Sequence, residues 1–202
     1  MLDETMRVVK GQVFRPIASP LRNIHPLWFT FLGLLFGLAS AVAAAYQQYW
    51  LGFFCWCISR ALDALDGEVA RLTNQQSDLG GYLDILIDHV GYAAVPIGVV
   101  LGRPTEAGFI LLPLLLASFY INGASWMYLS ALLEKRAAGA AARGEQTSVT
   151  MPAGLIGGSE TIILYSAFLL LSPWYEWLFG LMMILVVITI LQRIPFAVRE
   201  LK

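Results

Sequence analysis

The chain has 202 residues, 58% of them hydrophobic and 13% charged, with a mean hydropathy of +0.68. Soluble domains run nearer half apolar and about a quarter charged, and one water-soluble core of this size could not hide the excess, so the composition points to a bilayer. A formal net charge of −1 carries no broad basic field toward nucleic acid, and two cysteines give no disulfide framework.

Residues 1–26 come first and differ in character from the rest. Arg7, Lys10, Arg15 and Arg22 mix with Val8, Val9, Val13, Phe14 and Ile17, the pattern of a short amphipathic helix lying in the membrane interface, broken by Pro16 and Pro20. No short apolar run follows a basic start, so the segment does not read as a signal peptide, and targeting falls to the first spanning helix. Six stretches then approach the ~20 residues that cross a bilayer: about 27–45, 49–70, 79–101, 107–133, 153–172 and 175–198.

The first of these carries Gly33 and Gly37, a GxxxG pair that reads as a helix-packing face. Cys55 and Cys57 in the second read as buried apolar packing, since no further cysteine completes a soft-metal site. A turn near 73–79 makes the second and third spans antiparallel. Pro113, Asn122 and Gly123 predict a local bend in the fourth, and the Ala-rich 137–142 stretch continues or frays its end. In the fifth, Glu160 between Ser159 and Thr161 reads either as an acceptor contact or as a polar group pairing helices. Tyr46, Tyr49 and Trp50 at one turn, with Trp174, Tyr175 and Trp177 at another, suit interfacial aromatic belts. No repeat or linker divides the chain, which reads as one domain over 1–202: an interfacial segment 1–26 and a six-helix bundle 27–198.

The distribution of basic residues orients the bundle. With the N-terminus in the cytoplasm, 12 of the 13 lysines and arginines fall on the cytoplasmic side and Arg103 alone on the other. Both termini are therefore expected in the cytoplasm.

The acids are not spread evenly. Six of the 14 lie between Asp63 and Asp88. Asp63, Asp66 and Ala70 follow i, i+3, i+7 spacing on one helix face, and Asp84 and Asp88 are i, i+4 neighbours on the next span. A carboxylate deep in a membrane helix costs roughly 2.5–3.5 kcal/mol, so four unpaired ones would cost on the order of 10 kcal/mol. Closeness to the interface lowers that cost, but four like charges then repel. Divalent cations relieve both penalties, because hard oxygen ligands in this number suit Mg²⁺, Mn²⁺ or Ca²⁺. Gly67, Ala70 and Gly80 leave room near the backbone, and Arg71 adds a planar donor fork suited to phosphate. Acids solvated at helix ends would explain neither the helical register nor the placement on two facing elements.

The string Asp63-x2-Asp66-Gly67-x2-Ala70-Arg71-x8-Gly80-x3-Asp84-x3-Asp88 resembles the signature of the CDP-alcohol phosphotransferase family, with every defining position present over 26 residues. The resemblance implies six spans with cytoplasmic ends. It implies two divalent cations, Mg²⁺ or Mn²⁺, held by Asp63, Asp66, Asp84 and Asp88. It places Asp66, Gly67, Ala70, Arg71 and Gly80 against the CDP group and makes Asp88 the general base for an acceptor hydroxyl. The implied donor is CDP-diacylglycerol or another CDP-alcohol, the products a phosphodiester and CMP, and the setting the plasma membrane of a bacterium or archaeon, with a homodimer expected.

Two departures bear on the acceptor. The start of the first span reads His25-Pro26-Leu27, where many members carry Pro-Asn. The region from Met151 to Thr161 holds an acid and no Arg or Lys, which leans toward an uncharged or zwitterionic acceptor, although Lys135, Arg136, Arg143 and Arg193 could fold over the site. His89 reads as packing or as support for Asp88, and His25 as an interfacial residue. The competing class is an ion-coupled transporter, which predicts acids near the midplane scattered over several helices and a repeated half. A non-catalytic scaffold leaves the acids without a purpose, and the Gly-x-Gly-Asp of intramembrane aspartyl proteases is absent.

Overall fold

The computed structural model describes residues 13–144, 150 and 154–202, and the regular structure there is helical, without a strand among the described residues. Six long helices carry it: α1 (Pro26–Ala45), α2 (Tyr49–Thr73), α3 (Asp78–Gly102), α4 (Glu106–Lys135), α5 (Gly158–Leu170) and α6 (Tyr175–Leu201). Three of the starts have a side-chain cap. His25 Nδ1 accepts from the Leu27 amide with Pro26 in the first turn, Ser77 Oγ accepts from Gly80 N, and Thr105 Oγ1 accepts from Gly108 N. Asn74, in the left-handed region at φ 53°, stops α2 and turns the chain into α3.

Length and composition suit four stretches for crossing a membrane: Pro26–Ala45, Asp78–Gly102, Glu106–Lys135 and Ser172–Leu201. The other two of the six expected spans fall outside for different reasons. Helix α2 has 25 residues, ample length, but its second half carries Arg60, Asp63, Asp66, Glu68 and Arg71. Helix α5 has 13 residues, about 20 Å at 1.5 Å per residue, because Gly157 and Gly158 delay its start to well past residue 153.

Packing follows from small residues. A Cβ added at Gly98 would lie 2.1 Å from the Ala41 carbonyl oxygen, and one at Gly102 would lie 2.1 Å from that of Ala44, so α3 meets α1 backbone against backbone. Gly33 and Gly37 put the opposite stretch of α1 against Ser59 of α2, as the GxxxG spacing suggests. Helix α4 pairs chiefly with α6, and α5 contacts α2, α3 and α6. The main core lies among these helices, with Trp56, Tyr165, Phe168, Tyr175 and Phe179 essentially without exposure. A smaller cluster of Ala18, Phe29 and Val69 joins the N-terminal turns to α1 and α2.

Several local expectations change. Residues 13–18 are helical straight through Pro16, and Ser19–Leu21 form a 3-10 turn containing Pro20; Arg7 and Lys10 lie outside the described residues. The Ala-rich stretch does not prolong α4: the helix ends at Lys135, Ala137 takes φ 53°, and a separate turn follows at Ala140–Arg143. Of the aromatic belts, Tyr46, Trp50, Trp174 and Trp177 face outward, whereas Tyr175 is buried and donates to the Arg103 carbonyl at 3.0 Å. Cys55 is buried, but Cys57 is exposed on the outer face of α2.

Candidate active site

The end of α2, the turn at 74–77 and the start of α3 enclose a pocket of about 210 Å³ beneath the N-terminus of α1. Six of the eight residues singled out by spacing line it: Asp66, Gly67, Ala70, Arg71, Gly80 and Asp84. Asp63 and Asp88 do not; they lie deeper, around Arg60. Asp84 interacts electrostatically with Asp63, Asp66 and Asp88 and comes within hydrogen-bonding reach of Asp63, so the four carboxylates form one group. The antiparallel α2–α3 hairpin therefore brings the two acidic faces together.

Three of the four are held by neighbours. Thr30 Oγ1, from α1, donates to Asp66 Oδ2 at 2.8 Å. Arg60 Nη1 donates to Asp88 Oδ1 at 2.5 Å and stands 3.9 Å from Asp63 Oδ1. Tyr92, one turn beyond Asp88, donates to its Oδ2 at 3.4 Å. Arg71 gives Nε and Nη2 to Glu68 Oε2 at 3.2 and 2.8 Å, and its guanidinium lies over Gly67, where a Cβ would stand 3.4 Å from Nη1. The Arg71 side chain is 44% exposed, which leaves it at the mouth of the pocket.

Thr30, Arg60 and His25 are additions that sequence reasoning did not place at the site. His25 caps α1 and lines the pocket. A hydroxyl in an apolar helix and a lone arginine give no periodic signal; only the pairing of helices reveals them.

Other candidates take structural positions. Glu160 Oε2 accepts from the Gly157 amide at 3.0 Å, capping α5, a role distinct from both of those weighed for it. Arg193 is buried and joins α6 to α4, its Nη1 donating to Asn122 Oδ1 at 2.9 Å and Ser125 Oγ at 2.7 Å. Arg136 donates to the Leu201 carbonyl at 2.8 Å. Lys135 is exposed at the end of α4, and the side chain of Arg143 is outside the described ones. His89 Nδ1 hydrogen-bonds the Ile85 carbonyl at 2.7 Å and sits beside Gly123, which is a packing position.

Among the described residues no three His, Cys, Asp or Glu side chains converge closely enough to hold an ion as they stand. Arg60 bonds Asp88, and Thr30 bonds Asp66. The donor set nonetheless fits a hard divalent cation. Four carboxylates against the one guanidinium of Arg60 leave a formal −3 at the helix ends, and all four present oxygen ligands.

The profile of the family described as CDP-alcohol phosphatidyltransferase matches residues 23–192, which takes in every helix that builds this site. The chain belongs to the CDP-alcohol phosphatidyltransferase family. It is accordingly a transferase of substituted phosphate groups.

Within that family it is 30% identical over 164 residues to the inner membrane protein YnjF of Escherichia coli (strain K12), covering 81% of this chain and 77% of the relative. It is 28% identical over 163 residues to phosphatidylinositol phosphate synthase of Cutibacterium acnes, covering 77% of this chain and 78% of that one. The fold is similar to the crystal structure of phosphatidylinositol phosphate synthase from Mycobacterium tuberculosis with CDP-DAG bound, at a TM-score of 0.70 and 21% identity over 92% of this chain and 94% of that one. This transferase is a helical membrane protein whose relatives come from bacteria and an archaeon.

Proposed function

We propose that this transferase moves a phosphatidyl group from a CDP-alcohol, with CDP-diacylglycerol as the donor, to an acceptor alcohol in phospholipid synthesis, releasing CMP. The observation that carries this reading is the pocket itself. Six motif residues, two of them carboxylates, line one cavity at the exposed end of the α2–α3 hairpin. The solved relative with CDP-DAG bound supports the donor.

Asp63, Asp66, Asp84 and Asp88 would hold two divalent cations, Mg²⁺ or Mn²⁺. When bound, such ions neutralise phosphate charge and stabilise the leaving nucleotide. The residues of the chain do the rest. Gly67, Ala70 and Gly80 admit the CDP group close to the backbone, and Arg71 at the pocket mouth reaches a phosphate with the donors that Glu68 now occupies. Asp88 takes the proton from the acceptor hydroxyl as its oxygen forms a bond to the phosphorus that bears the diacylglycerol. The bond from that phosphorus to CMP breaks, and CMP departs with the bonding pair.

Six spans and a cytoplasmic site complete the proposal, with residues 1–202 as one membrane domain, the N-terminal segment in the interface and a homodimer in the plasma membrane. Helix α2 can cross because its charges turn inward: Arg60, Asp66 and Glu68 are each under 9% exposed, while Leu51, Phe54 and Ile58 face out. Helix α5, though short, is a core element through Tyr165, Phe168 and Leu169. The acceptor is taken to be uncharged or zwitterionic, since the start of α5 supplies an acid and no arginine. A relative from Helicobacter pylori named CDP-diacylglycerol–serine O-phosphatidyltransferase, 37% identical over 75 residues, agrees with that direction. The relatives named for inositol phosphate products favour a charged one.

The test is CMP release from CDP-diacylglycerol with Mg²⁺ or Mn²⁺ across serine, inositol, glycerol, glycerol phosphate, inositol phosphate and phosphatidylglycerol. Metal-dependent release with one acceptor, abolished in Asp88→Asn, is expected. Failure to bind either CDP or metal would refute the reading.

A further inference from the structure

The acid assigned above as the base does not look into the pocket but into a guanidinium. Arg60 is 8% exposed and carries a charge that no protein environment removes. It bonds Asp88 at 2.5 Å and lies 3.9 Å from Asp63, so it stands among the deeper two carboxylates and leaves Asp66 and Asp84 to the pocket side.

Its own position is fixed from behind. The guanidinium carbon lies 4.8 Å from the centre of the Trp56 ring and 5.7 Å from that of Tyr92, within cation–π range of both. Nη2 donates to Ser59 Oγ at 3.2 Å, and Ser59 is tied to the Gly33 carbonyl of α1 at 2.7 Å. Trp56 is pinned in turn through Nε1 to the Ile162 carbonyl of α5. Nε of Arg60, although buried, has no hydrogen-bond partner, so this arrangement does not satisfy all five donors.

The acidic group is therefore two-sided. One half is partly neutralised by a cation belonging to the chain, and the other half lines the pocket. A guanidinium and a divalent ion compete for the same two carboxylates. Arg60 holds Oδ1 of Asp88 and faces Oδ1 of Asp63, and Tyr92 donates to the other oxygen of Asp88. Two cations at one pair of acids repel.

We propose that Arg60 is a resident counter-cation for Asp63 and Asp88, and that a divalent ion binding these two acids must displace Asp88 from it. Arg60 is thus a positioning residue that makes one of the two ion-binding steps weaker than the other. In the unloaded protein it relieves the repulsion that would otherwise open the α2–α3 hairpin. On loading, Asp88 passes from the guanidinium to the ion, while the aromatic rings keep Arg60 where it is. The inference rests on the two-cation reading given under the proposed function.

Mn²⁺ binding to the purified full chain in lipid nanodiscs, followed by the electron paramagnetic resonance of free Mn²⁺ without substrate, tests it. Wild type is expected to bind in two unequal steps. Arg60→Gln and the apolar Arg60→Met are expected to strengthen the weaker step about tenfold, while Arg60→Lys, which keeps the charge, stays within about threefold of wild type. Neutral variants that bind Mn²⁺ as wild type does, or more weakly, would overturn the exchange and leave Arg60 as a strut. Wild type that binds no Mn²⁺ would instead refute the two-cation reading beneath it. A second measurement needs no neutral variant: in ¹⁵N-arginine-labelled wild type, assigned with Arg60→Lys, the Arg60 side-chain resonance is expected to shift on saturation with Mg²⁺. A resonance that stays in place while Mg²⁺ binds would equally overturn the exchange.

Discussion

Thr30 and Asp66 are 36 positions apart in the chain, yet the threonine hydroxyl donates to the carboxylate at 2.8 Å inside the protein. This bond links α1, which carries no acid, to the acidic face of α2. It fixes one carboxylate oxygen, Oδ2. Thr30→Val keeps the shape and removes the donor. A hydrogen bond to a charged group is worth about 1.5–3 kcal/mol. The Mg²⁺ concentration for half-maximal CMP release is expected to rise about three- to tenfold, with a small drop in melting temperature; an unchanged Mg²⁺ requirement would show that Asp66 needs no orientation from α1.

The α1–α3 crossing makes a sharper stability prediction. Gly98→Val places carbon where the Ala41 carbonyl oxygen already stands, so the helices must separate, at a cost of about 2–4 kcal/mol by the usual scale of overpacking and lost contacts. Gly180→Ala on α6, where nothing lies within 4 Å of the added carbon, is the matched control and is expected to hold or slightly raise stability. Thermal unfolding in detergent would separate them.

Asn122 supplies Arg193 with two acceptors, its side-chain and main-chain oxygens, at 2.9 and 3.4 Å. Asn122→Ala removes the better one and leaves a buried guanidinium that also has an unpartnered Nε. The expected loss is about 1.5–3 kcal/mol. Pairing it with Arg193→Met should recover part of the loss, because both polar partners are then gone. Additive losses in the double variant would show that the two side chains are not coupled.

Sidedness can be read chemically. In a background lacking Cys55 and Cys57, Arg103→Cys and Gln75→Cys each place an exposed thiol at opposite ends of α3. An impermeant maleimide added to intact cells is expected to label the first, and the second only after permeabilisation. The reverse pattern would place the pocket outside.

Legibility in the sequence followed the physics of each signal. The acids were readable because membrane helices rarely carry charge, and their spacing survives folding as a shared face. Long apolar runs located α1, α3, α4 and α6 for the same reason. Arg60 was counted among the basic residues that orient the bundle, since a lone arginine on a helix carries no register of its own. Its burial against Trp56 and Tyr92 depends on α3 lying alongside. Tyr175 sat between two tryptophans that do face outward, and only the approach of the Arg103 carbonyl turns it in. Helix α5 starts late at Gly157 and Gly158, and Glu160 caps its first turn, an outcome that composition cannot distinguish from an intramembrane acid.

The stacked rings behind Arg60 have one more consequence. Trp56, Tyr92, Tyr165, Phe168 and Phe179 run from the acidic cluster toward the opposite end of the bundle in successive ring contacts, and the Tyr165 hydroxyl is spent on the Tyr92 carbonyl. That column is a stopper. Under the proposed mechanism, a proton taken up at Asp88 would leave on the pocket side, because the rings behind it are packed one against the next. Turnover so arranged would be electrically silent: it would neither draw on nor dissipate the voltage across the membrane in which the protein sits.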